Sequence, residues 1–536
     1  MFRFDSDKQA SFYDHDTIWD ELIPADSVYR LIREFAPLLI RREDFTGLYC
    51  ENNGRTSIEA LKMTMACMIQ QMLNETDRGM EWLTQFNIEI KFALSMRLDE
   101  KGIDHANFHN HRQRMMDKGL DALYLDRFTR LMYYLGILTG KEPFLTDTTH
   151  AIAPINIPTT IELIRQGINI LLRHVIKNFA SEWEKLPVWP LAARYLLGNI
   201  KETKEHRLEK HQKKMRLQDV VKEAESLLTF FEEQEGPWQK DSTTITRALI
   251  LCRILRERII QNSDGTIEVT PSRDMKDFIV SAVDIEARFG NKGKTKWRGY
   301  KVAAVEVGNS GFIAAADTLK ANEYDGDSLE KMVEQTPVEL AEDPKFIGDG
   351  HYGSAENHHK MKGKNIKLVA PLSYKVNAIE LAEEGFSIND DHTVLTCCMN
   401  RTFTKYNELE YGHLFYLQTK RCKTCSRYSQ CFKGKRKRYV FIHEHFDVLL
   451  KAQKYNETEE YRNDMRLRSR IEPKQHELVN TYGLRRIRYI GERKLSFAAR
   501  MKALAANFQR LKRLLTNGGI SKNHFKEKTT LLKKVA

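Results

Sequence analysis

The sequence contains no long apolar run. Nowhere in its 536 residues do roughly 18 consecutive apolar residues occur, which is the length that a membrane-spanning helix needs. The first residues, MFRFDSDK, also lack the apolar centre of a secretory signal peptide. We therefore expect a chain that neither enters a membrane nor is secreted, and that works in the cytoplasm.

Cysteine is also scarce, with eight residues in the whole chain, too few for a disulfide scaffold of this length. Five of the eight lie between Cys397 and Cys431, and they include one Cys-x-x-Cys, formed by Cys422 and Cys425. Four thiolates at tetrahedral geometry can hold a structural Zn²⁺, with Cys397, Cys422, Cys425 and Cys431 as ligands. The alternative is that these are reduced, partly buried thiols of a β-rich insertion.

Acidic residues are nearly missing from two basic segments. Residues 481–536 hold fifteen Lys or Arg and two acids, a net charge of +13 that exceeds the +12 of the whole chain. Residues 420–438 hold nine basic residues and no acid. Such segments attract phosphate backbones through Coulomb energy and counterion release. We therefore predict nucleic-acid contact, against the alternative of an ordinary solvated surface.

Apolar residues recur at helical spacing within the basic C-terminal segment. They are Leu495, Phe497, Met501, Leu504, Phe508, Leu511 and Leu515. This pattern predicts a helix with one packed face and one basic face. The candidate DNA-binding residues in and before this helix are Arg485, Arg486, Arg488, Arg510, Lys512 and Arg513.

Hydrophobic periodicity predicts a mixed α/β fold. A short polar helix after Asp104 fits either a DNA-recognition helix or an ordinary surface helix. Alternating apolar residues at 300–307 and 311–318, separated by Gly-Asn-Ser, predict a β-hairpin. The predicted parts are a helical N-terminal DNA-binding domain (1–135), core strands and helices (140–159 and 275–375), a helical insertion (160–274), a cysteine-containing β-rich insertion (376–455), and a C-terminal part with the basic helix (456–536).

Three carboxylates stand at distinctive places in this layout. Asp147 and Asp349 each end a predicted strand, and Glu472 lies on a late helix. Strand ends on one side of an α/β sheet converge, so these acids can meet. Acids brought together repel one another unless a divalent cation neutralises them, and hard carboxylate oxygens suit Mg²⁺. Two such ions about 4 Å apart can activate water at a phosphodiester.

Several segments resemble the DDE transposases of bacterial insertion sequences. Gly54-Arg55 and Asp104-His105 in the helical N-terminal region are similar to that family's N-terminal domain. The other matching motifs are DIEARFGNK (284–292), GYK (299–301), ANEYDGD (321–327), GDGHYGS (348–354), RSRIEP (468–473) and GLRRIR (483–488), the last leading to a Gly and a helix with Ala-Ala-Asn at 505–507. They occur in the family's order and span nearly the whole chain.

The resemblance implies an RNase H-like catalytic core that cuts and joins DNA with Mg²⁺ or Mn²⁺. It assigns Asp147, Asp349 and Glu472 as the metal-binding catalytic triad. It also implies that the partners are double-stranded DNA, as terminal inverted repeats and target, and further copies of this chain assembled on that DNA.

The sequence departs from the family around the third acid. Many relatives place a Tyr seven residues before the Glu, an Arg four before it and a Lys seven after it. Arg468 matches the Arg and is a further candidate for DNA contact, but position 465 is Met and position 479 is Val. Neighbouring cations that can substitute for the missing Lys are Arg466, Arg470 and Lys474.

Three functions remain open at this point. The leading one is a DNA transposase that cleaves at element ends and transfers the strand to a target. The second is a nuclease of the same fold that cuts without joining. The third is a DNA-binding protein that has lost catalysis, against which the intact triad argues.

Overall fold

The computed structural model describes residues 3, 19, 21–49, 57–155, 158–183, 189–196, 207–271, 277–292, 295–372, 378–417, 419–433 and 437–535. Helices and a mixed sheet together make an α/β protein. None of the described helices is long and apolar enough to cross a membrane.

Six α-helices come first in the part of the chain that the structure describes. They are α1 (Val28–Leu39), α2 (Ala60–Leu73), α3 (Asp77–Phe86), α4 (Ile88–Ala93), α5 (His105–Asp117) and α6 (Leu120–Tyr134). Local capping starts several of them, because a side-chain oxygen of Ser27, Thr76, Asn87 or Asp104 accepts a backbone N–H of the first turn. Helix α2 is buried along nearly its whole length. The helices therefore surround α2 and share one apolar core with the sheet that follows.

One strand, β1 (Phe144–Ile152), precedes a separately packed helical segment. That segment contains α7 (Thr160–Trp183), α8 (Trp189–Leu196), α9 (Lys210–Glu233) and α10 (Ser242–Arg258), followed by a short hairpin of β2 (Ile259–Gln261) and β3 (Ile267–Val269). Its apolar residues form a core of their own, apart from the core around the sheet.

The main sheet has six strands in the order β4-β5-β1-β7-β8, and β6 pairs with β5. Its later members are β4 (Arg288–Lys292), β5 (Thr295–Val307), β6 (Phe312–Lys320), β7 (Lys345–Ile347) and β8 (Lys367–Val369), with helices α11 (Leu329–Glu334) and α12 (Ala355–Gly363) between them. Strand β5 runs antiparallel to β1, β4 and β6, whereas β1, β7 and β8 are parallel. The predicted hairpin thus corresponds to β5 and β6, and β4 extends it by a strand that the sequence pattern did not predict.

Residues 378–456 form two small sheets under several helices. The elements are α13 (Ala378–Glu383), β9 (Ser387–Ile388), β10 (Leu395–Thr396), β11 (Thr402–Phe403), β12 (Tyr406–Leu409), β13 (Gly412–Leu417), α14 (Thr419–Cys422), α15 (Tyr428–Phe432), β14 (Arg438–His443) and α16 (Phe446–Asn456). Strands β9 to β11 make one sheet and β12 to β14 the other. A third apolar core lies between them.

The C-terminal helices are α17 (Glu459–Arg468), α18 (Ile471–His476), α19 (Glu492–Thr516) and α20 (Lys522–Val535). The prediction of one packed and one basic face for α19 is wrong, because every residue from 495 to 508 is buried. Helix α19 packs on β6 on one side and on α2 and α6 on the other. Both sides of the helix are therefore covered. Its buried cations Arg500 and Lys502 donate hydrogen bonds to oxygen atoms, as buried charges require.

Candidate active site

Parallel strand pairing places Asp147 and Asp349 side by side. In the pair β1–β7, Leu145 stands opposite Ile347. Asp147 lies two residues beyond Leu145, and Asp349 lies two residues beyond Ile347. Because side chains alternate between faces with a period of two, both carboxylates stand at the same height and on the same face of the sheet.

An apolar cluster on that face positions the helices that follow. The cluster consists of Leu145, Ile347, Val369 and Ile471, with Tyr455, Tyr461, Met465 and Leu467 packed against it. The sheet thus holds α17 and α18 through their apolar residues. Arg468 directly follows the cluster residue Leu467, and Glu472 directly follows Ile471. Packing of these two apolar side chains therefore brings their charged neighbours to the two aspartates.

The guanidinium of Arg468 lies among the three carboxylates. One of its nitrogens is 4.0 Å from Asp147 Oδ2 and 3.9 Å from Asp349 Oδ2, and the other is 3.9 Å from Glu472 Oε1. These are long ion pairs rather than hydrogen bonds. The side chain of Asp147 is 15% exposed and that of Glu472 is 62% exposed, so the site opens to solvent on the helix side.

Burial controls the acidity of Asp147. The pKa of this carboxyl is raised to about 6, with burial as the largest cause and the neighbouring charge of Asp349 acting in the same direction. Three groups act in the opposite direction: the backbone N–H of Thr148, which donates to Asp147 at 2.8 Å, and the cations Arg468 and Lys292. Two acids held together at a partly dry site on interior strands of the sheet favour a nearby positive charge.

The donor set fits divalent hard cations. It consists of carboxylates alone, and Arg468 supplies charge without engaging their lone pairs in hydrogen bonds. The Arg468 Nε atom is buried and has no hydrogen-bond partner among the described residues. The three acids do not all lie within 4.8 Å of one another.

A cavity of about 470 Å³ continues from the aspartates along β1. Its walls combine Asp147 to His150 of β1 with residues from four of the six segments beyond residue 280 that resemble the family's motifs. Those residues are 289–292, Lys301, 321–325, Asp349 and His351. Segments far apart in the chain therefore meet at one groove, and the carboxylates lie at its end.

The groove contains functional candidates that the sequence argument did not identify. Lys292 lies close enough to lower the pKa of Asp147. Lys301 is held by Asp325 at 2.6 Å, and the ring of Trp297 lies 4.8 Å from that of His150. The two lysines belong to segments that resemble the family, but a single Lys in a strand carries no signal of its own until the sheet register is known.

The departures around Glu472 have structural counterparts. Met465 packs in the apolar cluster, and Val479 is buried in a π-helical turn. Of the cations considered as substitutes for the missing Lys, Lys474 is buried and pairs with Glu477 at 2.7 Å. Arg470 donates to the side chain of Asn309 at 2.6 Å. Arg466, which is 73% exposed, donates to Asn463 and lies 3.9 Å from Glu459.

The predicted DNA-binding arginines fall into two places. Arg485 donates to the backbone oxygen of His150, a groove residue, and the segment around it forms a bridge to Ile152 at the end of β1. Arg486 and Arg488 are exposed beside it. The second group is away from the groove and already engaged. Arg510 donates to Ser310 O, Lys512 lies 3.7 Å from Asp26, and Arg513 lies 3.3 Å from Glu477.

The clustered cysteines line one cavity of about 250 Å³. Burial raises the pKa of Cys422 and of Cys431, and the Arg438 guanidinium contacts the Cys431 sulfur at 3.2 Å. Among the described residues, no three cysteine sulfurs lie within 4.8 Å of one another. Zn²⁺ bound by Cys397, Cys422, Cys425 and Cys431 therefore stays a prediction.

The polar helix after Asp104 is α5, and much of its polarity is internal. His111 is buried, and Arg112 forms a double hydrogen bond with Asp77. At its start, Glu81, Asp104 and His105 bring three ligand atoms within 4.8 Å. This group is largely exposed and Asp104 serves as the helix cap, so the group is explained by local structure.

Two family models match the sequence. Residues 264–508 match the family described as "Transposase DDE domain", and residues 17–114 match "Transposase domain (DUF772)". The first match includes Asp349 and Glu472, whereas Asp147 precedes it. Searches of curated proteins and of solved structures gave no match.

Proposed function

Since the chain belongs to the transposases of the DDE class, we propose that the carboxylate cluster around Arg468 is its catalytic centre. The enzyme is a DNA transposase, and its reaction is phosphodiester hydrolysis followed by transesterification. The single observation that carries the assignment of residues is the convergence of Asp147, Asp349 and Glu472 on one guanidinium. Asp147 is assigned to the triad from its position beside Arg468, because the matched family segment begins after it.

We assign an RNase H-like fold to the core. The strand order β6-β5-β1-β7-β8, with an antiparallel β5 and parallel β1, β7 and β8, supports this assignment. The helical segment 160–271 and the cysteine-containing segment 378–456 are then insertions. Each has a core of its own, so each can lengthen without disturbing the sheet.

Asp147, Asp349 and Glu472 would hold Mg²⁺ or Mn²⁺, which supplies activated water and stabilises the leaving oxygen. The protein's own contribution is positional. The sheet fixes the two aspartates, and the helix brings Glu472 to the open side. Arg468 balances the negative charge and presents its guanidinium where a phosphodiester would approach.

The groove beside β1 would take the DNA that leads to the reacting phosphate. Lys292 and Lys301 offer positive charge along it, and the half-buried His150 offers a flat surface that packs on the buried ring of Trp297. Arg486 and Arg488 extend the positive surface past the end of β1. Assembly of further copies on the DNA, and location in the cytoplasm, belong to the same proposal.

Strand joining separates the transposase from a nuclease of the same fold. The experiment supplies a labelled duplex that carries the terminal repeats of the element's own flanking DNA, a target plasmid and Mg²⁺. We expect free 3′-OH ends followed by labelled plasmid. Cutting without any labelled plasmid would favour the nuclease. The absence of both products would contradict the proposal.

Arg486 and Arg488 should provide salt-dependent DNA affinity. Replacing both by Gln removes two phosphate contacts, so the slope of log affinity against log salt should become shallower by about two units. Specific and random duplexes should weaken alike, because charge on a flexible stem reads phosphate rather than base edges. The matched control is Lys512→Gln with Arg513→Gln, whose cations already have acidic partners and should change the slope less. Equal slopes for both variants would contradict this assignment.

A further inference from the structure

Within the described residues, the sheet of β12, β13 and β14 is packed on one side only. Its inward side chains, such as Phe415, Val440 and Ile442, are buried in the third apolar core. Because side chains alternate along a strand, the neighbouring positions point away from that core. We call these outward residues the aromatic face; they are Asn407, Leu409, Gly412, Leu414, Tyr416, Tyr439, Phe441 and His443.

Large flat side chains are exposed on the aromatic face. Tyr439 is 50% exposed and Phe441 is 41% exposed. The ring of Tyr416 lies edge-on to Tyr439 at 5.1 Å, and His443 lies 6.3 Å from Phe441. Asn407 donates to the Tyr416 hydroxyl and so fixes that ring. An exposed row of aromatic side chains on a sheet is costly in water and indicates a binding surface.

Positive charge lies at one end of the aromatic face, whereas Glu410 and Glu444 are exposed at the opposite end of the sheet. No Asp or Glu stands at an outward position of these three described strands. Lys437 is exposed two residues before Tyr439, and Lys405 is exposed two residues before Asn407. Continuing the strand register places Lys405 in the same row as Tyr416 and Tyr439. Lys420, just after β13, is exposed at the same end of the sheet.

We propose that the aromatic face binds unpaired DNA bases, which stack on Tyr439 and Phe441 while the lysines contact the adjoining phosphates. A row of exposed rings without an acid among them, with cations at one end, is the combination that single-stranded nucleic acid requires, since every base has a flat π surface. The inference rests on the proposed function for its choice of DNA. The proposal gives the chain a surface for single-stranded DNA in addition to the proposed catalytic site, which acts on the ends of duplex DNA.

The test compares two fluorescein-labelled probes by anisotropy in EDTA at physiological salt. One is oligo(dT), and the other is a base-free deoxyribose phosphate oligomer of equal length. The double variant Tyr439→Ala with Phe441→Ala should lose about thirtyfold in affinity for oligo(dT), the lower end for two stacked bases. Its affinity for the base-free oligomer should be unchanged. Tyr439→Trp should retain oligo(dT) binding, and its indole emission should be quenched by the bases.

Tyr134→Ala is the matched control, because Tyr134 is a 59% exposed aromatic residue on α6, outside the sheet. It should bind both probes as the unchanged protein does. Equal affinity of the unchanged protein for the two probes would overturn the proposal. So would a double variant that alters the sedimentation of the chain but not its oligo(dT) affinity, because the face would then be a protein interface. Joining of DNA ends by that variant would leave the proposed function standing.

Discussion

Asp349→Asn should abolish Mg²⁺-dependent strand cutting and leave DNA affinity nearly unchanged. The amide keeps the shape of the side chain and can still accept the backbone N–H of His351, which reaches Asp349 at 2.8 Å. It removes one negative ligand from the site, however, and adds no repulsion toward phosphate. Loss of a residue that hydrogen-bonds a metal ligand lowers metal affinity or activity about 10- to 100-fold. Loss of a ligand itself should therefore lower the cutting rate by more than about a hundredfold.

Asp343→Asn is the matched control for this experiment. Asp343 is an exposed acid just before β7, and Asp349 follows the same strand. Cutting should be measured on a labelled duplex with each protein, alongside binding of the same duplex without metal. Retained Mg²⁺-dependent cutting by Asp349→Asn would contradict its assignment as a ligand. Lost binding by that variant would show that the carboxylate shapes the DNA surface instead.

The family and its chemistry were predictable from the sequence, because short motifs carried the signal. The resemblance and the transposase function are confirmed by the two family matches. The sequence predicted that the three acids meet because two of them end strands, but Asp147 lies inside β1 (Phe144–Ile152) rather than at its end. The geometry of the carboxylate site depends on the β1–β7 register and on the packing of Leu467 and Ile471. No local sequence pattern specifies how those two residues pack against β1, a strand more than 300 positions earlier.

Charge patterning gave a wrong account of α19. Its apolar stripe and its cations were both real features of the sequence, but hydrophobic periodicity cannot show that the opposite side is also covered. In the structure, the amide of Asn507 both donates to and accepts from the backbone of Ile313 in β6. Between residues 495 and 508, a helix that covers the edge strand of a sheet and also supports α2 has no free face. Its buried cations Arg500 and Lys502 therefore hold the parts of the molecule together, whereas DNA contact by Arg510, Lys512 and Arg513 stays a prediction.

Arg500→Met should destabilise the chain by about 3–5 kcal/mol, the usual loss when one partner of a buried ion pair is removed. Arg500 bridges Asp121 of α6 at 2.8 Å and Asp317 of β6 at 2.6 Å. These carboxylates are 0% and 2% exposed, so the variant leaves both in a dry interior with fewer compensating charges. The free energy of unfolding of the full chain is measured in urea, with circular dichroism as the signal.

Arg130→Met is the matched control, because Arg130 also bridges two acids but is 44% exposed. Exposed pairs contribute at most about 1 kcal/mol, so this variant should unfold almost like the unchanged chain. Equal losses for the two variants would mean that the buried network is not the source of the effect.

Acid should reduce the difference in the free energy of unfolding between Arg500→Met and the unchanged chain. Burial raises the pKa of Asp317, but the Arg500 charge and the hydrogen bonds from Ser496 and Gln335 outweigh it and hold that pKa at about 2. An Asp in the unfolded chain has a pKa of about 3.9. A depressed carboxyl contributes stability above the unfolded value and loses it as pH falls through the folded value. The stability difference should therefore be full at pH 7 and shrink between about pH 4 and pH 2, and a difference that grows on acidification would contradict the ion-pair explanation.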